Sequence, residues 1–268
     1  MSKKLSSTRK TITWSALVAN LKNLVVKYSK GNSKMGKILS FNITAGGDNY
    51  VRSDGLELTD FRGSCDGCCD GCTNGCYARN SEIRFKTVML NNACNYALAK
   101  ENMAEFKRQV IQILHSVKND DIPVRIHECG EFFSLEYMAM WLDIIEMFPN
   151  KRFYTYTKRY TWVKMLEERI LSLSNFRMNI SAFRGNLETI RAMFPKFSIF
   201  LWDDSNIIGE NCGVEIPHDL RCPAVSKSGH MNKSAHCDKC GLCHKAQYAG
   251  KVIACYDHSK SEKHVSEV

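Results

Sequence analysis

Proline is scarce in this sequence, at 5 of 268 residues, and glycine is modest at 16. Collagen-like repeats and low-complexity linkers are thereby excluded. No apolar run approaches the ~20 residues that a membrane-spanning helix needs. No uninterrupted apolar segment follows the basic N-terminus, as a secretory signal would require. The chain is therefore expected in the cytosol, with no membrane partner. No P-loop, no dinucleotide-binding glycine fingerprint and no Ser-His-Asp signature occurs. Acidic residues are absent from residues 1–40, which hold nine Lys or Arg. The whole chain carries 37 basic and 28 acidic side chains, so residues 41–268 are balanced. The basic excess belongs to the N-terminal segment alone. Such an arm is either a solvated leader or a contact to nucleic-acid phosphates through counterion release.

Cysteine is abundant, at 13 residues. Nine fall in two groups: Cys65, Cys68, Cys69, Cys72 and Cys76, then Cys222, Cys237, Cys240 and Cys243. Disulfide frameworks suit small secreted domains, so in a reducing compartment these groups point to metal or iron–sulfur ligation. Cys94, Cys212 and Cys255 have no partner spacing and are expected to be buried or spare.

The remaining sequence reads as βα repeats. Trp14, Leu17, Val18, Leu21, Leu24, Val25 and Tyr28 recur at helical spacing, predicting an amphipathic helix over 11–30. A strand at 37–44 follows, then helical pattern over 80–117. In that stretch Met103, Phe106, Val110, Ile113, Leu114 and Val117 share a face. Further strands are expected at 124–129, 152–158, 176–182 and 197–202, with helices at 135–148, 162–173 and 186–194 between them. Ser134 is placed to cap the first of these helices and Pro149 to stop it. A weak sixth strand is read at 213–217. The fold class is α/β, a βα-repeat partial barrel with an N-terminal helix and a C-terminal cysteine-rich segment. The expected organisation is an arm and helix over 1–36, a core over 37–211 and a metal-binding segment over 212–268. Sites in such folds lie on the loops after the strands. That rule predicts one rim holding the first cysteines, Cys129-Gly130-Glu131, Asn179 and Ser181.

Cys65, Cys69 and Cys72 fit C-x3-C-x2-C, a spacing that holds three irons of a [4Fe–4S] cubane and leaves the fourth open. Cys69, Cys72 and Cys76 give the alternative C-x2-C-x3-C, and a four-ligand zinc site is a third arrangement. Cys222 precedes the C-x2-C-x2-C run of Cys237, Cys240 and Cys243, enough for a closed second cluster or a structural zinc. His236 and His244 flank that run; they either replace a cysteine as ligand or, the expected reading, lie at the surface. Arg125, His127 and Glu131 lie near the end of the second strand, where His127 is either an acid–base group or a structural one. Lys158 and Arg159 are anion-binding groups or rim charges. Tyr154 and Tyr156 are packing residues, and Asp203 and Asp204 are ribose ligands or caps.

The C-x3-C-x2-C spacing after a first strand resembles the radical S-adenosylmethionine (SAM) superfamily. That resemblance implies a cluster whose open iron binds SAM, a reduced electron donor and a substrate that the sequence does not name. It also implies that Gly130 and Glu131 meet the methionine moiety and that Asn179 and Ser181 meet the ribose. The first residue of the superfamily's GGE-like motif is replaced here by Cys129. The segments GNSK at 31–34 with SFN at 40–42, CYAR at 76–79, RIHECGEFFS at 125–134, FYTYTK at 153–158, CPA at 222–224 and CGLC at 240–243 are similar to the bacteriophage gene-product-88 domain family. This second resemblance implies a phage-encoded protein in a bacterial cytosol and favours Cys76 as a ligand. It implies no particular reaction.

Overall fold

A computed structural model describes residues 10–32, 35–46, 50–51, 56–66, 72, 76–203, 220–228, 230, 232 and 234–256. The arm over 1–9, Cys68, Cys69, Asp204, Cys212 and the strand expected at 213–217 lie outside the described residues. In chain order the elements begin with strand β1 (Lys10–Thr13), helix α1 (Trp14–Ala19), and strands β2 (Leu39–Phe41), β3 (Tyr50–Val51) and β4 (Leu56–Thr59). Helices α2 (Tyr77–Arg84), α3 (Lys86–Glu101) and α4 (Met103–Ser116) and strand β5 (Val124–Ile126) follow. Then come α5 (Leu135–Met147), β6 (Phe153–Thr157), α6 (Tyr160–Met165), α7 (Glu167–Ser172), β7 (Phe176–Phe183), α8 (Leu187–Met193) and β8 (Ser198–Asp203). The one-turn α9 (Cys237–Cys240) and β9 (Val252–Tyr256) complete the set. No helix among the described residues is long and apolar enough to cross a membrane.

The chain divides into two compact units interleaved in sequence. The first comprises residues 1–28, 42–116 and 128–137, and the second 29–41, 117–127 and 138–268. In the first, β1, β4 and β3 form a three-stranded sheet, with β1 parallel and β3 antiparallel to the central β4. Its helical part buries Phe106, Val110 and Leu114 of α4, the face expected from the sequence. Trp14 packs edge-on against Phe61 at 5.0 Å and tilted against Tyr96 at 5.4 Å.

The helix expected over 11–30 is corrected. Residues Lys10–Thr13 are strand, and the helix that Thr13 caps ends at Ala19. Beyond a 3-10 turn at Leu21–Asn23, Leu24 and Val26 are buried while Val25 is 55% exposed, a period of two. Side chains hold this extended run open. Gln109 Oε1 accepts from the Val26 N–H at 2.7 Å, and Asn95 Oδ1 accepts from the Lys27 N–H at 2.8 Å. Tertiary amide pairing has overridden an apolar pattern that fits either period.

The second unit is built on a six-stranded parallel sheet in the order β2-β5-β6-β7-β8-β9. The order runs in sequence with no switch point, as in singly wound βα architectures, and one-handed crossovers then bring the helices to a single face. That face is apolar: Val124, Ile126, Phe153, Met178, Ile180, Ile199 and Leu201 are buried, and Phe41 meets Trp141 of α5 at 5.6 Å. The registered partners on the other face are polar or aromatic: Arg125, Tyr154 and Arg177 in one row, Tyr156, Asn179 and Ser198 in the next. The sixth strand is β9, formed by the apolar run VIACY.

Candidate functional site

In the first unit three short segments meet at the expected cysteine loop. The segment after β2 is pinned through Asn42, whose Oδ1 accepts from the N–H groups of Glu128 (2.7 Å) and Cys129 (3.3 Å). The Ile43 N–H returns a bond to the Cys129 carbonyl at 3.2 Å. Ser64, beside Cys65, donates from Oγ to the Thr44 carbonyl at 2.7 Å and accepts from the Glu131 N–H at 2.9 Å. Gly130 has φ +90°, and a Cβ there would lie 2.5 Å from Ile43 Cγ1 and 2.9 Å from Ser64 Oγ. Only glycine fits this turn. A Cβ on Gly46 would equally meet Cys65 Cβ at 2.5 Å.

Around this scaffold Cys72, Cys76 and Glu131 each come within electrostatic reach of Cys65. Burial first, then the Glu131 carboxylate, pushes the Cys65 thiol well up. Cys76 and Cys72 act in the same direction, and a hydrogen bond from the Gly46 backbone partly offsets them. Cys76 also caps α2, accepting from the Arg79 N–H at 3.4 Å, and packs against buried Ala45, Ala78 and Cys129. Behind it the buried carboxylate of Glu82 accepts from the Ala45 N–H (3.2 Å) and from Asn92 Nδ2 (2.8 Å). Glu82 offers one signal in the sequence, a carboxylate three residues beyond CYAR, which reads as an exposed helix position.

The second unit holds the other cysteines. Cys222 lies within electrostatic reach of Cys240 and Cys243, and Cys237 within reach of Cys243. Burial pushes the Cys243 thiol up to about 12, against a hydrogen bond from the Tyr156 hydroxyl. His244 is corrected from the surface to the interior. It is 6% exposed, lies 5.3 Å from the Tyr154 ring, and is pushed down to about 4 mainly by burial. Asn179 donates from Nδ2 to the carbonyls of Thr155 and Cys243, each at 3.0 Å, and Ser181 is buried on the same strand face. These two therefore sit with the second cysteine group in the second unit, whereas Gly130 and Glu131 sit with the first.

Several remaining candidates have structural places. His127 is buried in the left-handed region at φ 63°, and burial with the nearby Arg125 pushes it down to about 3, so it is neutral at pH 7. Asp203, fully buried, pairs with Arg221 at 2.7 Å. Lys158 lies over the Phe183 ring at 5.1 Å and Arg159 over Trp162 at 4.8 Å. Cys255 is buried and Cys94 half-buried. Among the described residues no three His, Cys, Asp or Glu side chains stand close enough to hold a metal ion as they are.

A sequence model of the family described as Gene product 88 matches residues 21–246. The Gene 88 protein of Mycobacterium phage L5 is 31% identical over 121 residues, covering 44% of this chain and 49% of the relative. The Gene 88 protein of Mycobacterium phage D29 is 30% identical over 122 residues, with the same coverage of each chain. The chain thus spans about half the length of the curated relatives it matches. No solved structure matches it.

Proposed function

The chain belongs to the Gene product 88 family, and within that family we propose that it is an iron–sulfur protein of radical SAM type. The observation that carries this reading is the gathering of Cys72, Cys76 and Glu131 about Cys65, with Gly130 held beside Ser64. Soft thiolates suit a [4Fe–4S] cluster, and mutual repulsion among several potential anions is what a bound cation relieves. Three of Cys65, Cys69, Cys72 and Cys76 hold the cluster in this reading. Both registers share Cys72. When bound, such a cluster supplies one-electron reductive cleavage of SAM, the electron coming from a separate reduced donor.

The chain's own residues do the positioning. The absent side chain of Gly130 lets the methionine end of SAM approach the backbone closely. The Glu131 carboxylate accepts a charge-assisted bond from the SAM ammonium. Ser64 fixes both by tying the Glu131 N–H to the segment that carries Cys65.

Anaerobic reconstitution of the full chain with iron and sulfide, followed by reduction in the presence of SAM, tests the reading. Absorbance near 400 nm and release of 5′-deoxyadenosine are expected, and Cys72→Ala abolishes the release. Glu131→Ala weakens SAM binding roughly 10- to 150-fold with the absorbance retained, the loss of a ~1.5–3 kcal/mol contact. Cys65→Ala and Cys76→Ala decide between the two registers. A reconstituted, reduced protein that releases no 5′-deoxyadenosine refutes the radical reading.

A further inference from the structure

The connection between β8 and β9 carries five cysteines, four of them among the described residues. Two parts of it dock on the second sheet in different ways. Arg221 bridges to Ala254 in parallel and the Cys222 N–H donates to the Ala254 carbonyl at 2.7 Å, so this part pairs with the outer side of β9, the last strand of the sheet. The other part, from α9 to His244, lies over the polar face: Cys237 and Cys243 pack against Met35, Ile38 and Tyr154. Asn179 donates to the Cys243 carbonyl, and the Tyr156 hydroxyl donates to the Cys243 sulfur. Tyr156 is itself held between the Arg125 guanidinium at 4.9 Å and the Phe200 ring at 4.8 Å. Cys222 packs with the small group of Ala224, Val225 and Cys255.

We propose that Cys222, Cys237, Cys240 and Cys243 form a closed four-thiolate metal centre that staples the edge-pairing segment to the face-covering segment, with Tyr156 as a positioning residue on Cys243. The C-x2-C-x2-C run starts on the one-turn α9, whose i, i+3 spacing puts Cys237 and Cys240 on the same side. Cys222 supplies the fourth from the sheet edge, within reach of Cys240 and Cys243. Each thiol releases its proton to solvent as its metal–sulfur bond forms, and the thiols close onto the metal. Four protein ligands leave no open position, so the centre is structural rather than catalytic. Zinc and a [4Fe–4S] cluster share this ligand chemistry. The proposal does not rest on the reading of the first unit.

The full chain carrying Cys65→Ser, Cys72→Ser and Cys76→Ser, purified anaerobically, isolates the second centre. One centre per chain is expected by elemental analysis: a single zinc without colour, or about four irons with sulfide and absorbance near 400 nm. Metal-free folded protein overturns the proposal. Alkylation mapping of the unsubstituted chain keeps the test open if that variant is insoluble. Half-exposed Cys237 and Cys240 are expected to react at least tenfold faster after metal is stripped with EDTA and ferricyanide and the oxidised thiols are reduced again. Equal rates before and after stripping overturn it. Tyr156→Phe is expected to keep the metal but release it severalfold faster to chelator; an unchanged release rate removes the positioning role.

Discussion

The side-chain oxygen of Ser64 accepts a hydrogen bond from the backbone N–H of Glu131 at 2.9 Å, while its proton goes to the Thr44 carbonyl at 2.7 Å. The two residues are 67 apart in sequence. One buried hydroxyl thus joins the cysteine loop, the segment after β2 and the segment that bears Glu131. The electrostatic contact of Glu131 with Cys65 follows from that tie.

Ser64→Ala removes both bonds and leaves a buried N–H and a buried carbonyl without this partner. A loss of about 1–3 kcal/mol is expected. Urea unfolding measures it, and a midpoint equal to that of the unsubstituted chain would show that the tie is dispensable. SAM binding weakens in the same variant if Glu131 acts as proposed.

Gly130→Ala meets two separate obstacles. A φ of +90° strains any L-residue, at about 1–3 kcal/mol. The added methyl also runs into Ile43 Cγ1, the Ile43 carbonyl oxygen at 2.7 Å and Ser64 Oγ. The backbone atom cannot rotate away, so the segment itself has to shift. A drop in thermal midpoint larger than that of Ser64→Ala is expected from calorimetry; a drop within error of zero would refute the close packing.

The βα repeat was legible because its strands are short apolar runs bounded by Pro123, Pro149 and polar loops, and its register left little freedom. Strand β9 was not legible. Val252–Tyr256 follows directly on a Lys- and Cys-rich stretch, and five apolar residues without alternation say nothing about period. The N-terminal helix was misread because Leu24, Val25 and Val26 satisfy both periods, and only Asn95 and Gln109, distant in sequence, decide between them. The two cysteine groups stand apart in the sequence by their spacing. Their assignment to two different units was not legible there, since each unit gathers segments from several places in the chain.

Residues 1–9 carry Lys3, Lys4 and Arg9, and β1 begins only at Lys10. Deleting 1–9 is expected to leave the metal content unchanged. If the arm meets DNA phosphates, the deletion lowers the slope of log affinity against log salt by up to about 2.7, at ~0.9 per contact. Fluorescence anisotropy on a duplex at several salt concentrations measures this. Identical slopes with and without the arm remove nucleic acid as its partner.

His127 gives the fold an acid-sensitive step whose sign is fixed by burial. The imidazole titrates near 6.5 in an unfolded chain and only at about 3 when folded, because burial and then Arg125 disfavour its charge. Between those values the unfolded chain binds the extra proton. Stability is therefore full above 6.5 and declines as pH falls toward 3, by up to about 1.4 kcal/mol per pH unit. His127→Asn removes the titration and tolerates the left-handed φ of 63°. Urea midpoints at pH 7 and pH 4.5 are expected to differ less in this variant than in the unsubstituted chain. His244 contributes its own slope to both proteins, so only the difference between them carries the test. Parallel pH dependences would show that His127 is protonated in the folded protein well above pH 3.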